Sequence, residues 1–369
     1  MCNPNKKMDK GKQATTSAQA RILVVGDMHF AERSILIVEK MKPLIIENIK
    51  KYKPDKVVFL GDTLDRFGTT THVRSREAID FFYEVSQLCP TILLIGNHDI
   101  PNKNDFMSAN HGFTGMKYYW KNTTVVDTCC VEFEINGLIF QAVPYCPNGR
   151  LVDGLNTLEG RSLNGIAAIF CHQEIKNCDL DGMISAHGDE WDDSSPLLIC
   201  GHIHKRQLLK DNVYYIGSPY QDKVDEYYVE PEDKGISLLT FTRSRESQTH
   251  AQTSDGIKWK ERRIALNLPI KTKLIMTAKD YGKWEPEENY IYFITVHGTN
   301  YENSKHRGSD KTLEVAKSGG KVVFSNTGIS LDINIKSHVK EQKSLFERMK
   351  NSIADKPHLQ SIYDDVFNG

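Results

Sequence analysis

The chain has 369 residues, 39% of them apolar and 9% aromatic, enough to bury a real core and at odds with wholesale disorder. Lys and Arg total 47 against 48 Asp and Glu, a net charge of -1, so the balance carries no global nucleic-acid or polybasic membrane signature. At about 150 residues per domain the length suggests two domains, and no apolar run approaches the roughly 18 residues of a membrane span.

Residues 1–20 are polar and lysine-rich. They read as a disordered leader without the apolar stretch of a secretory signal, which predicts a cytoplasmic, non-secreted protein. Eight cysteines with no CxxC pair predict free buried thiols. ILVVG (22–26) is a short apolar run ending in glycine, the pattern of a strand buried on both faces. Ile35, Val38, Met41, Leu44, Ile45 and Ile49 recur at helical spacing over 34–52. VVFLG (57–61) is the next strand, 74–88 a second helix, and TILLIG (91–96) a third strand. Strand and helix in alternation predict parallel pairing through crossovers.

From residue 123 short β segments take over, with Asn136-Gly137 as a hairpin signal. IAAIFCH (166–172) and LLICGH (197–202) are buried strands that each end in histidine. VYYIGSP and ISLLTF complete a core domain over 21–245. Residues 243–260 are polar and read as a linker. RIALNL, YIYFITVH and KVVFS, with a polar helical stretch at 301–317, predict a small α/β domain over 260–335. Residues 337–369 mix charge with periodic apolar positions, the pattern of an amphipathic helical tail.

Five motifs stand at predicted strand ends: GDMH (Gly26–His29), GDTLD (Gly61–Asp65), GNHD (Gly96–Asp99), Cys171-His172 and GHIH (Gly201–His204). Ligands bind outside the carboxyl ends of strands in an α/β sheet, so the five should converge. They contribute Asp27, His29, Asp62, Asn97, His172, His202 and His204. Seven oxygen and imidazole donors exceed the needs of one tetrahedral ion. They suit two adjacent ions sharing a carboxylate, with Asp62, central in the order, as the bridge. Mixed carboxylate and imidazole ligation fits Mn, Fe or Zn better than Mg. His98 follows Asn97 and points elsewhere, as a proton donor to a leaving alkoxide.

These motifs resemble those of the calcineurin-like metallophosphoesterases, over roughly residues 22–219. Within that superfamily the chain looks most like the SbcD-type and T-even-phage recombination nucleases and their viral relatives. That likeness rests on YYIGSPY (214–220) after GHIH, on DLDGMISAHG (179–188), and on the small domain and tail that follow the core. The resemblance implies a four-layer α/β/β/α sandwich with a small α/β capping domain and a short C-terminal helical tail. It implies Asp27, His29, Asp62 and His204 on one metal, and Asp62, Asn97, His172 and His202 on the other. It further implies His98 as general acid, two divalent ions, commonly Mn2+, and a hydroxide shared between them as nucleophile. The substrate would be DNA, the partner an SMC-like ABC ATPase of the SbcC type bound through the C-terminal helices. A homodimer through the helix after the first motif would also be in keeping.

Many members carry a histidine where Asp65 stands, and Asp65 departs from them. DNA phosphates call for basic groups, and the candidates are Arg66, Lys103, Lys205 and Arg206. Two readings compete: a phosphoesterase of the same superfamily acting on a nucleotide or phosphoprotein, and an inactive scaffold of the same fold. Phe30 and Asp99 disfavour the phosphoprotein phosphatases, which usually have Gly and Glu at these places.

Overall fold

The computed structural model describes residues 18–65, 71–160, 162–226, 230–243 and 256–326. The expected helical tail at 337–369, residues 327–335 and Arg66 lie outside these.

Four strands run parallel: β1 (Ala18–Val25), β2 (Lys56–Phe59), β3 (Thr91–Leu94) and β4 (Thr123–Val126). Helices α1 (Ile35–Tyr52) and α2 (His72–Leu88) join the first three. A short α3 (Met116–Tyr119) precedes β4. The hairpin of β5 (Val131–Ile135) and β6 (Leu138–Val143) turns at Asn136 and Gly137, with φ of 51° and 82°, the backbone a two-residue hairpin turn requires. Then come α4 (Leu151–Leu155), β7 (Ile166–His172), β8 (Leu198–Gly201), β9 (Gln207–Lys210) and β10 (Val213–Tyr215). β11 (Ile236–Arg243) and β12 (Ile257–Ile264) end the core.

Two six-stranded sheets result, ordered β12-β11-β1-β2-β3-β4 and β5-β6-β7-β8-β10-β9. Side chains alternate across each strand, and β1 shows the consequence. Ile22 and Val24 face the second sheet and meet Phe140, Phe170 and Ile199. Leu23 and Val25 face outward against Val38, Met41 and Ile45 of α1 and Phe82 of α2. Burial of each such side chain contributes about 1.5–3 kcal/mol, so a strand sandwiched between two layers must be apolar at every position. The outer face of the second sheet is covered by α4 and by loops carrying Cys146, Cys178 and Trp191. That fourth layer holds far less helix than the first.

Two expected boundaries move. Ala18, Gln19 and Ala20, read as leader, pair with Arg243, Thr242 and Phe241 of β11, because β11 needs a partner along its whole length. Residues 257–264, read partly as linker and partly as the small domain, pair antiparallel with β11 from Ile257↔Arg243 to Ile264↔Ile236. The alternating pattern of IKWKERRI is that of an edge strand with one face wet. The small domain proper is a parallel sheet of β13 (Ile270–Thr277), β14 (Tyr290–Gly298) and β15 (Lys321–Asn326). Helices α5 (Ala278–Lys283), α6 (Asn300–His306) and α7 (Asp310–Lys317) accompany it. Its own core comprises Met276, Tyr281, Tyr292, Ile294, Val296 and Val315. Among the described residues no helix is long and apolar enough to cross a membrane.

Candidate metal centre

Each motif sits where a strand ends and the chain must turn at once. His29, Asp62 and His202 adopt φ of 42°, 47° and 77°, a left-handed backbone that L-residues enter only under constraint. Cross-loop hydrogen bonds impose it. The His29 N–H donates to the Asp62 carbonyl at 3.0 Å, and the Phe30 N–H to the Thr63 carbonyl at 2.7 Å. Gly96 must be glycine, since a Cβ there would collide with the backbone nitrogen and Oδ1 of Asp62.

All seven expected donors converge, in two groups. Asp27, His29 and His204 form one, and Asp62, His172 and His202 the other, with Asn97 Oδ1 at 2.9 Å from His172 Nε2. Tautomers follow from the outer nitrogens. His172 Nδ1 donates to the Leu60 carbonyl at 2.7 Å, and His204 Nδ1 to Glu226 Oε1 at 2.7 Å. The nearest partner of His29 Nδ1 is the Leu64 carbonyl at 3.3 Å. The inner nitrogens thereby face one another across the site, each able to bind an ion once it carries no proton. His29 Nε2 lies 2.9 Å from His204 Nε2, and His202 Nδ1 lies 3.3 Å from His172 Nε2.

Each pair is closed in one of two ways, by a shared proton in an N–H···N hydrogen bond or by a cation that both rings bind. Imidazole nitrogens bind transition metals at about 2.0–2.1 Å, and two such bonds at a right angle put the nitrogens about 3 Å apart. The carboxylates agree. Asp27 Oδ1 accepts from the His202 N–H at 2.9 Å, while the buried Oδ2 has no partner among the described residues. Asp62 Oδ1 accepts from the His98 N–H at 2.8 Å, and Oδ2 lies 3.3 Å from His172 Nε2 and 4.0 Å from His29 Nε2. Asp62 Oδ2 thus faces the inner nitrogens of both groups. The residues fit two divalent ions.

Electrostatics prepares the donors. Burial penalises the Asp62 carboxylate, but His172, His98 and His29 outweigh it and hold its pKa well below the usual carboxylate range. Burial, with His172 alongside, lowers His202 to about 4, so its ring is neutral at physiological pH, as ligation requires. Burial opposes charge on His172 too, yet Asp62 and Asp27 raise it to about 9. A proton there must leave when an ion enters.

His98 stands at the rim, its ring 5.3 Å from that of His29. Its Nδ1 lies 2.7 Å from the Asp65 carbonyl. Asp99 is a buried brace that accepts from the Leu64 N–H and the Gly96 N–H, each at 2.9 Å. Burial, with Asp62 nearby, pushes its pKa up to about 7. The expected DNA contacts fare differently. Lys205 pairs with Asp179. Arg206 turns back to Glu261 at 2.6 Å and the Tyr214 hydroxyl at 2.8 Å, while Lys103 is exposed.

Motif reading overlooked Arg33, which salt-bridges Asp65 and Asp222, and the buried trio of Asp222, Glu226 and Lys234 behind His204. Nothing in their sequence neighbourhood marks them, because the contacts cross 8 to 189 residues. Cys171 and Cys200 lie with their Sγ atoms 3.3 Å apart in the outer layer of the second sheet, away from the donors.

Residues 20–223 match the family described as calcineurin-like phosphoesterase. The protein named "Putative phosphoesterase 244L" of Invertebrate iridescent virus 6 is 35% identical over 60% of this chain and 76% of its own length. "Putative phosphoesterase 078R" of Invertebrate iridescent virus 3 is 35% identical over 55% of this chain and 58% of its own length. Among solved structures, a phosphatase of Mycoplasma pneumoniae aligns over 68% of this chain and 94% of its own at 12% identity, with a TM-score of 0.36.

Proposed function

Since the chain belongs to the calcineurin-like phosphoesterase family, and so hydrolyses phosphoester bonds with divalent metal ions, we propose that its substrate is DNA. In this reading it is a nuclease subunit of the SbcD type, active with Mn2+ at a twin-ion centre. It works beside an SMC-like ABC ATPase in DNA repair or recombination. The observation that carries the twin-ion part is the pair of facing imidazoles, His29 with His204 and His172 with His202, with Asp62 reaching both. The DNA part is supported by the YYIGSPY strand beside the site and by the α/β domain that follows the core.

Two divalent cations held by these residues would neutralise the anionic phosphodiester and bring the pKa of a water toward neutrality. The chain's own groups do the rest. Asp62 and Asp27 supply the negative charge that keeps two cations close. His98, held at Nδ1 against the Asp65 carbonyl, presents Nε2 to the leaving alkoxide and delivers its proton. Gly61 and Gly96 let the loops approach closely enough for one carboxylate to span both groups.

A specific observation favours a second reading. Lys205 and Arg206 are both engaged in ion pairs within the chain, which suits a small phosphodiester such as a nucleotide better than a long polyanion. The experiment compares Mn2+-dependent cleavage of linear duplex DNA with that of bis-p-nitrophenyl phosphate, with and without an ATPase from the same genome. Cleavage of duplex DNA, stimulated by the ATPase, supports the nuclease reading. Turnover of the small diester alone overturns it in favour of the second.

A further inference from the structure

We infer that Glu226 is a positioning residue for the metal centre, held in place by the small parallel-sheet domain. The inference rests on the twin-ion reading of the site. Glu226 is buried with its side chain 3% exposed, and a lone carboxylate would be costly there. Its oxygens are fully paired instead. Oε1 accepts from His204 Nδ1 at 2.7 Å. Oε2 accepts from the Asp222 N–H and from Lys234 Nζ, each at 2.9 Å. Lys234 in turn donates to the His204 carbonyl at 3.1 Å and the Ser218 hydroxyl at 2.9 Å.

The arrangement fixes two things at once. The proton is kept on His204 Nδ1, so Nε2 carries the lone pair. The ring plane is also fixed, so that lone pair aims at His29 Nε2, 2.9 Å away. A carboxylate behind a metal-binding histidine both orients the ring and raises its basicity. Glu226 is buried behind the His204 ring and acts through it.

The loop that carries Glu226 is gripped from β13. Gln221 Oε1 accepts from the Lys271 N–H at 2.7 Å. Lys271 Nζ, itself buried, donates to the Asp222 carbonyl. Lys273 Nζ lies 3.0 Å from Asp225 Oδ1. Three successive grips on residues 221, 222 and 225 thus come from one strand of the other domain. A chain of direct contacts runs from Lys271 through Asp222 and Glu226 to His204.

The test is calorimetric titration of Mn2+ into the metal-stripped full-length chain, with thermal unfolding alongside. The wild type should take up two ions. Glu226→Ala should weaken one of them about 10–100-fold, leave the other nearly unchanged, and keep a cooperative melt. Glu226→Gln keeps an oxygen opposite Nδ1 but loses the charge, and should fall between the two. It serves as the variant of record should the alanine chain fail to fold. Lys271→Met should weaken the same ion by a smaller factor. Unaltered affinities in Glu226→Gln, or equal weakening of both ions, overturn the positioning role, and an unaltered Lys271→Met overturns the role of the small domain. A wild type that binds fewer than two ions brings down the twin-ion reading itself, and this inference with it.

Discussion

His98 and Asp99 are neighbours with opposite duties. His98 faces the rim of the site, so His98→Ala should keep both ions in a Mn2+ titration yet lose about 10²–10⁴-fold in turnover. Full turnover in that variant would remove it from the chemistry. Asp99 faces the protein, where two backbone N–H groups depend on it. Asp99→Ala would leave both buried donors unsatisfied, at about 1–3 kcal/mol each, and urea denaturation should show a loss of that order. Gly96→Ala should fold less stably and lose metal, because its Cβ would displace Asp62. The thiols give a check of burial. Cys89, Cys146 and Cys178 are buried, and burial raises them to about 11, 12 and 11. Native-state alkylation near pH 8, mapped by mass, should modify the exposed Cys129 and spare those three.

At the scale of elements, the segment between β3 and β4 is held by one buried carboxylate. Asp127, at the end of β4, lies 3.0 Å from His111 Nε2 and 2.6 Å from Lys117 Nζ. Burial works against its charge, but His111 and Lys117 prevail and depress its pKa. A group whose folded pKa lies below its unfolded value stabilises the fold above the unfolded pKa, about 3.9 for Asp. The contribution is lost as pH falls from there toward the folded value. Wild-type stability should therefore drop more steeply than that of Asp127→Asn between about pH 5 and 3, read as urea midpoints across pH. Parallel curves would deny Asp127 that part. The strands that carry the motifs were legible, since ILVVG, VVFLG and TILLIG are apolar runs ended by glycine. The Asp127 clamp was not, because a lone carboxylate after TTVV has no period and no motif.

At the scale of the whole molecule, the two-sheet core and the seven donors could be read from five glycine-anchored motifs in order. The divide between core and small domain was misplaced, for a physical reason. β12 is polar on every second residue, and an edge strand with a wet face looks from sequence like linker. The structure gives it eight paired residues on β11. Ending the chain after residue 268 should thus leave both large sheets intact, whereas ending it after 255 strips β12 from β11. The shorter chain should melt lower by about 10 °C or more, as expected for a loss of several kcal/mol in a domain of this size. The contacts behind His204 escaped sequence reading because Glu226 and Lys234 belong to no motif and Lys271 reaches their loop from the other domain.

The imidazoles that confront each other across 2.9 Å also tie endurance to diet. Donors gathered by the fold can hold a divalent cation that the unfolded chain cannot, so the folded chain gains from every cation it binds. At a free Mn2+ concentration 100 times its dissociation constant the gain is about 2.7 kcal/mol per site. The temperature at which this protein comes apart should climb with the manganese around it, and a chelator should bring it back down.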